Sequence, residues 1–255
     1  MKRLLFTSLV WVAVTAPAAH AAGINLTWST GTVGCWPEKQ ISLMTWACNN
    51  ETDGPWTFVA SFRMDAAKPD FRGISVFLDG GSASALLPDW WEFYNQGACR
   101  ATSLTVSADF SAAMKTTCQD PYGDPTTTSI EWWTAFFPPP VPQNVPSPRE
   151  FWLKATFLLP ATKSLPASSE WYAFRATIDA AHTTATNPVC GGCFVPACMS
   201  LKELRVLGAA GSNNDYVLTK PWSNDCICWQ AFDPILCFAT PALNHTWGQL
   251  KSLYR

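Results

Sequence analysis

The 255-residue chain carries 17 Lys and Arg against 19 Asp and Glu, and only 14% of it is charged. A nucleic-acid binder needs a clustered basic face to displace counterions. Here the basic residues stand singly, which argues against nucleic acid and against an anionic membrane surface as partners. With 14 Trp and so few ions, the surface must be finished by Ser, Thr, Asn, Gly and Pro.

Residues 1–21 read as a secretory signal: Lys2 and Arg3 form a basic start, 4–14 an apolar run, and Ala19-His20-Ala21 a small-x-small cleavage site. The run breaks at Pro17, short of the roughly 18 residues a membrane span requires, and no later segment is long and apolar enough to cross. The mature chain is therefore expected to begin at Ala22, to carry no transmembrane segment, and to be exported to the extracellular space, cell surface or periplasm. It keeps 15 basic against 19 acidic residues, a net charge of −4.

Nine short runs rich in β-branched and aromatic residues follow, at 24–28, 57–64, 73–78, 103–110, 129–137, 151–159, 171–178, 201–207 and 216–219. Gly, Pro, Asn and Asp clusters separate them, and in 104–110 the apolar residues fall on every second position, the period of a half-buried strand. Nine strands without intervening helices predict an all-β fold, a single antiparallel β-sandwich of jelly-roll or immunoglobulin-like type over 22–245. Helical signals are confined to a turn or two at 89–95 and a short C-terminal helix at 246–255, where Thr246 and Gln249 have capping-box spacing. On that helix Trp247, Leu250, Leu253 and Tyr254 gather into one apolar stripe.

The segment 138–148 holds six prolines, which fix φ and remove ladder donors, so it is no central strand. It reads as a long rigid loop within one sandwich, the alternative being a polyproline linker between two domains.

Ten cysteines, at 35, 48, 99, 118, 190, 193, 198, 226, 228 and 237, predict a disulfide framework in an exported chain. Chain proximity suggests Cys35 with Cys48 and Cys99 with Cys118, leaving Cys190, Cys193, Cys198, Cys226, Cys228 and Cys237 with about 15 pairings. A zinc site is the competing reading of the last six. Their spacing fits a zinc ribbon poorly, and an oxidising compartment consumes free thiols first, so no metal is expected.

No catalytic or cofactor motif stands out. A hydrolase triad would have to use His182 or His245, and the chain has no Gly-x-Ser-x-Gly elbow. The carboxylates Asp89, Glu92, Asp120, Asp124, Glu131 and Glu170 include no pair at even spacing on one strand, as a glycosidase cleft would favour. Residues 49–54 resemble the start of a calcium loop but lack its later bidentate acid, position 60 being Ala60. No cofactor is expected. Three sequons, at Asn25, Asn50 and Asn244, would accept glycans only in a eukaryotic secretory pathway.

The aromatic clusters carry the one functional signal. Pro88-Asp89-Trp90-Trp91-Glu92-Phe93-Tyr94-Asn95 and Glu131-Trp132-Trp133 set flat rings among polar groups, as carbohydrate binding uses them; the competing reading is core filling. Trp90, Trp91, Tyr94, Trp132 and Trp133 are the expected ligand contacts.

The order Leu87-Pro88-Asp89-Trp90-Trp91, then Gly191-Gly192-Cys193 to Cys198, then the closing Thr246-Trp247-Gly248 to Tyr254-Arg255, resembles an uncharacterised group of exported bacterial proteins with a similar tail. The resemblance covers most of the mature chain and implies no activity. The expected function is a non-catalytic extracellular or cell-surface binding protein for a glycan or a surface protein. The alternatives are an assembly component docking through its C-terminal tail and a hydrolase of unfamiliar pattern.

Overall fold

The structure is a computed structural model that describes residues 22–29, 41–93, 99–110, 118–123, 127–134, 149–167, 169–184, 190–231 and 237. The signal at 1–21, the proline-rich core of 138–148 and the helix expected at 246–255 lie outside the described residues. Among the described residues eleven strands run in chain order: β1 (Gly23–Ser29), β2 (Leu43–Met44), β3 (Trp56–Arg63), β4 (Lys68–Ser82), β5 (Leu104–Ser107), β6 (Thr127–Thr134), β7 (Glu150–Leu165), β8 (Glu170–Ile178), β9 (Ala197–Leu207), β10 (Tyr216–Leu218) and β11 (Cys226–Trp229). A 3-10 turn at Asp89–Trp91 lies between β4 and β5. Each of the nine expected runs coincides with a strand; β2 and β11 had no signal of their own.

The strands form two sheets, one ordered β1-β3-β8-β5 and the other β2-β11-β9-β4-β7-β6, with β10 paired to β9. All ladders are antiparallel except the short pairing of β2 with β11, which is parallel. Strand β7 shows how the layers arise. Phe151, Leu153, Ala155, Phe157 and Leu159 are buried while the residues between them are not, because successive side chains leave opposite faces of a strand. The same alternation sends Ile74, Val76 and Leu78 of β4 inward and Ser75, Phe77 and Asp79 outward.

One apolar core joins the sheets, and rings cross between them. Phe174 of the smaller sheet stacks on Phe157 of the larger, and Trp28 and Trp56 meet Trp229 at 6.0 and 5.1 Å between centroids. Gly80 has no room for a side chain: an added Cβ would lie 2.3 Å from the Phe151 ring. Strand β1 is the edge of its sheet yet buried along its whole length. Its outer polar groups bond to the Lys220 and Asn224 carbonyls and to Trp222 N–H, so the edge is closed and offers no ladder to another chain.

Four disulfides are described, Cys48–Cys193, Cys99–Cys190, Cys198–Cys228 and Cys226–Cys237. Cys118 is also disulfide-bonded. The described cysteines are all in disulfides, as expected, but the pairings Cys35–Cys48 and Cys99–Cys118 are wrong. Cys48 and Cys99 reach 145 and 91 residues along the chain, because sheet pairing and not chain proximity brings cysteines together. Cys228 stands directly opposite Cys198 in the β11·β9 ladder. The loop that carries Cys190 and Cys193 packs on the 3-10 turn, where Trp90 N–H bonds to the Gly191 carbonyl at 3.0 Å. Gly192 adopts φ 103° there, and an added Cβ would sit 2.2 Å from Pro88.

Candidate functional site

The sequence placed a ligand on Trp90 and Trp91, but both rings are fully buried. Trp90 stacks on Trp229 at 4.9 Å and Trp91 on Phe151 at 5.7 Å. Beneath them lies Arg100, also fully buried, its guanidinium 3.8 Å from the Trp90 ring and bonded to the Trp90 and Asp179 carbonyls. Burial pulls the Arg100 pKa down to about 10, the Asp179 carboxylate opposing it. This ring and cation stack belongs to the core, so Trp90 and Trp91 are closed to a ligand. Tyr94 lies outside the described residues. Trp132 and Trp133 stand on β6 opposite Leu153 and Trp152 of β7.

Glu170, Asp120 and the 49–54 turn have structural partners, whereas His182 Nδ1 is buried without one among the described residues. Glu170 accepts from Ser61 Oγ at 2.6 Å and pairs with Arg63 at 3.3 Å; burial, outweighing both, raises its pKa to about 6. Asp120 Oδ1 accepts from the Tyr122 and Gly123 N–H groups. In 49–54, Asn50 Oδ1 accepts from the N–H groups of Thr52 and Asp53, and Asp53 accepts from Trp46 Nε1 at 2.7 Å, so these oxygens close a turn.

A groove of about 570 Å³ opens instead on the outer face of the larger sheet, over β4, β7 and β9. Phe77 and Trp152 line it, both half-buried, with ring centroids 5.7 Å apart and planes at 68°. Around the rings stand Ser75, Lys154, Thr156, Glu203 and Arg205. The register explains the assembly: Phe77 lies between Lys154 and Glu203, and Ser75 between Thr156 and Arg205. A bulge at Lys202, between the pairs Phe77↔Glu203 and Leu78↔Leu201, carries Glu203 and Arg205 onto this face.

Several donors and acceptors in the groove are already oriented. Thr156 Oγ1 donates to Ser75 Oγ at 3.2 Å, and Arg205 Nε donates to Glu203 at 2.5 Å. Outside the groove's lining, Lys202 pairs with Asp79 at 3.4 Å, and burial holds that carboxyl above the usual range. Lys154 is exposed and bonds to no group among the described residues. No protein-family model and no curated protein matches the chain. Function must therefore be argued from this groove. Its volume lies within the roughly 300–1,000 Å³ of small-molecule sites, which combine apolar surface with a few placed polar groups. Glu203 is the one carboxylate among its described lining residues, and Arg205 neutralises it.

The sequence held a signal for these residues in Ser75-x-Phe77-x-Asp79, Trp152-x-Lys154-x-Thr156 and Glu203-x-Arg205, polar or aromatic groups at every second position of a strand. What it lacked was the order of the strands, which makes neighbours of three runs up to 130 residues apart.

Proposed function

We propose that this chain is an exported, non-catalytic carbohydrate-binding protein, and that the sugar lies in the groove over β4, β7 and β9. The observation that carries this reading is the pair of half-exposed rings, Phe77 and Trp152, set among hydroxyl, ammonium, guanidinium and carboxylate groups. A sugar presents an apolar C–H face to such rings and hydroxyls to such polar neighbours. Hydrolysis would call for two carboxylates about 5 to 10 Å apart, so the neutralised single carboxylate favours binding. The fold accompanying this reading is a jelly-roll-type sandwich. The pairs β6·β7, β5·β8 and β4·β9 nest about one hairpin, as in a folded-over ribbon.

Affinity electrophoresis through gels containing soluble polysaccharides tests the proposal. The intact chain should be retarded by at least one glycan, and Trp152→Ala should weaken the retardation about tenfold, equivalent to about 1.4 kcal/mol, at an unchanged melting temperature. Retardation that survives both Trp152→Ala and Phe77→Ser would reject the groove as the site.

A further inference from the structure

On the same outer face, one strand beyond β9, four cysteines form a single sulfur knot. Alternation along β11 sends Ile227 and Trp229 into the core and Cys226 and Cys228 out. Cys198 lies opposite Cys228, and Cys237 closes over them. All four are buried, forming a cluster separate from the main core. The Cys198–Cys228 and Cys226–Cys237 bridges are in contact: Cys228 Sγ lies 3.1 Å from Cys237 Sγ, and the sulfurs of Cys198, Cys228 and Cys237 fall within 4.8 Å of one another.

We propose that this knot is a latent tetrathiolate metal site, taking a soft divalent ion such as Zn²⁺ when the chain is reduced and closing as two disulfides when it is oxidised. A Zn–S bond of about 2.3 Å sets the sulfurs of a tetrahedron about 3.8 Å apart. Three of the sulfurs are already gathered at about that spacing; Cys226 Sγ, now bonded to Cys237 Sγ, swings in on reduction to complete the set, while Cys198 and Cys228 keep their places opposite each other on β9 and β11. In reduction by a phosphine, phosphorus supplies the electron pair that breaks each S–S bond. One water gives its oxygen to the phosphine oxide and its two protons to the two thiols. Two such steps free Cys198, Cys226, Cys228 and Cys237, and metal binding then releases their four protons. Cys48–Cys193 and Cys99–Cys190 lie elsewhere and take no part.

The experiment uses the full chain, unfolded and reduced with a water-soluble phosphine, then diluted into buffer containing Co²⁺ as a spectroscopic stand-in for zinc. One equivalent should bind with thiolate-to-cobalt charge transfer and the visible bands of tetrahedral cobalt, and Zn²⁺ should displace it. The signal should vanish in Cys198→Ser/Cys228→Ser and persist in Cys48→Ser/Cys193→Ser and in Cys99→Ser/Cys190→Ser. Zinc should also slow closure of Cys198–Cys228 by added glutathione disulfide, which takes up the two electrons and two protons as it becomes two glutathione thiols, by at least tenfold, read by alkylation and mass. Absence of tetrahedral cobalt would overturn the proposal. So would a signal that survives in the knot variant, or one lost equally from all three variants, since either marks unspecific chelation by unfolded thiols.

Discussion

Glu170 offers a stability measurement whose sign and size follow from its surroundings. It sits on β8 facing Ser61 and Arg63 of β3, and burial lifts its pKa from 4.5 to about 6 despite both partners. A carboxyl with a raised folded-state pKa holds its proton more tightly folded than unfolded. Its contribution is complete below about pH 4.5 and is lost as pH rises through 6. Raising this carboxyl from 4.5 to about 6, at 1.36 kcal/mol per pH unit, amounts to about 2 kcal/mol. For a chain of this size that corresponds to roughly 4 to 8 °C in melting temperature. Glu170→Gln keeps an acceptor for Ser61 and removes the titration. Melting both proteins from pH 4 to pH 8 should therefore show the wild type losing about 2 kcal/mol relative to the variant, mostly between pH 4.5 and 6.5. A wild type that instead gains on the variant as pH rises would mean that Arg63 dominates over burial, and the reasoning would fail.

Trp90→Ala should cost about 3–5 kcal/mol, the usual range for a large aromatic core truncation, and strip Arg100 of the ring it stacks on. Urea denaturation should record it, and a midpoint unchanged from wild type would return Trp90 to the surface. A non-reducing peptide map should recover Cys48 linked to Cys193 and Cys99 linked to Cys190, and recovery of Cys99 joined to Cys118 would refute the described pairing. Replacing Cys99 and Cys190 together by Ser should lower stability by about 2–5 kcal/mol, read from the same urea midpoints.

Strand content was legible because the period of two is written into runs such as 151–159, where each apolar residue lies one position from a polar or half-exposed one. Strand β11 was hidden because its four residues, Cys226-Ile227-Cys228-Trp229, read as a cysteine motif, although the inward pair Ile227 and Trp229 obeys the same alternation. Disulfide pairing was illegible since it depends on which strands become neighbours. The Trp90-Trp91 pair was misplaced for a related reason. On a strand two adjacent rings must face opposite ways, whereas on the 3-10 turn at Asp89–Trp91 both turn inward, one to Trp229 and the other to Phe151. The groove needs the order β9-β4-β7, which no local pattern encodes.

The spans of the disulfides constrain how the chain can mature as it emerges from a ribosome or a translocation pore. Cys48 appears 145 residues before Cys193, and Cys99 appears 91 residues before Cys190. A catalyst that oxidises thiols in order of appearance would join Cys48 to another early cysteine and leave the 190–193 loop without partners. Correct covalent closure therefore has to follow, not accompany, the arrival of the last third of the chain. Either the early thiols stay reduced until β8 and β9 are in place, or an isomerase undoes the premature bonds. The yield of active protein in a heterologous host should accordingly depend on disulfide isomerisation more than on the rate of oxidation.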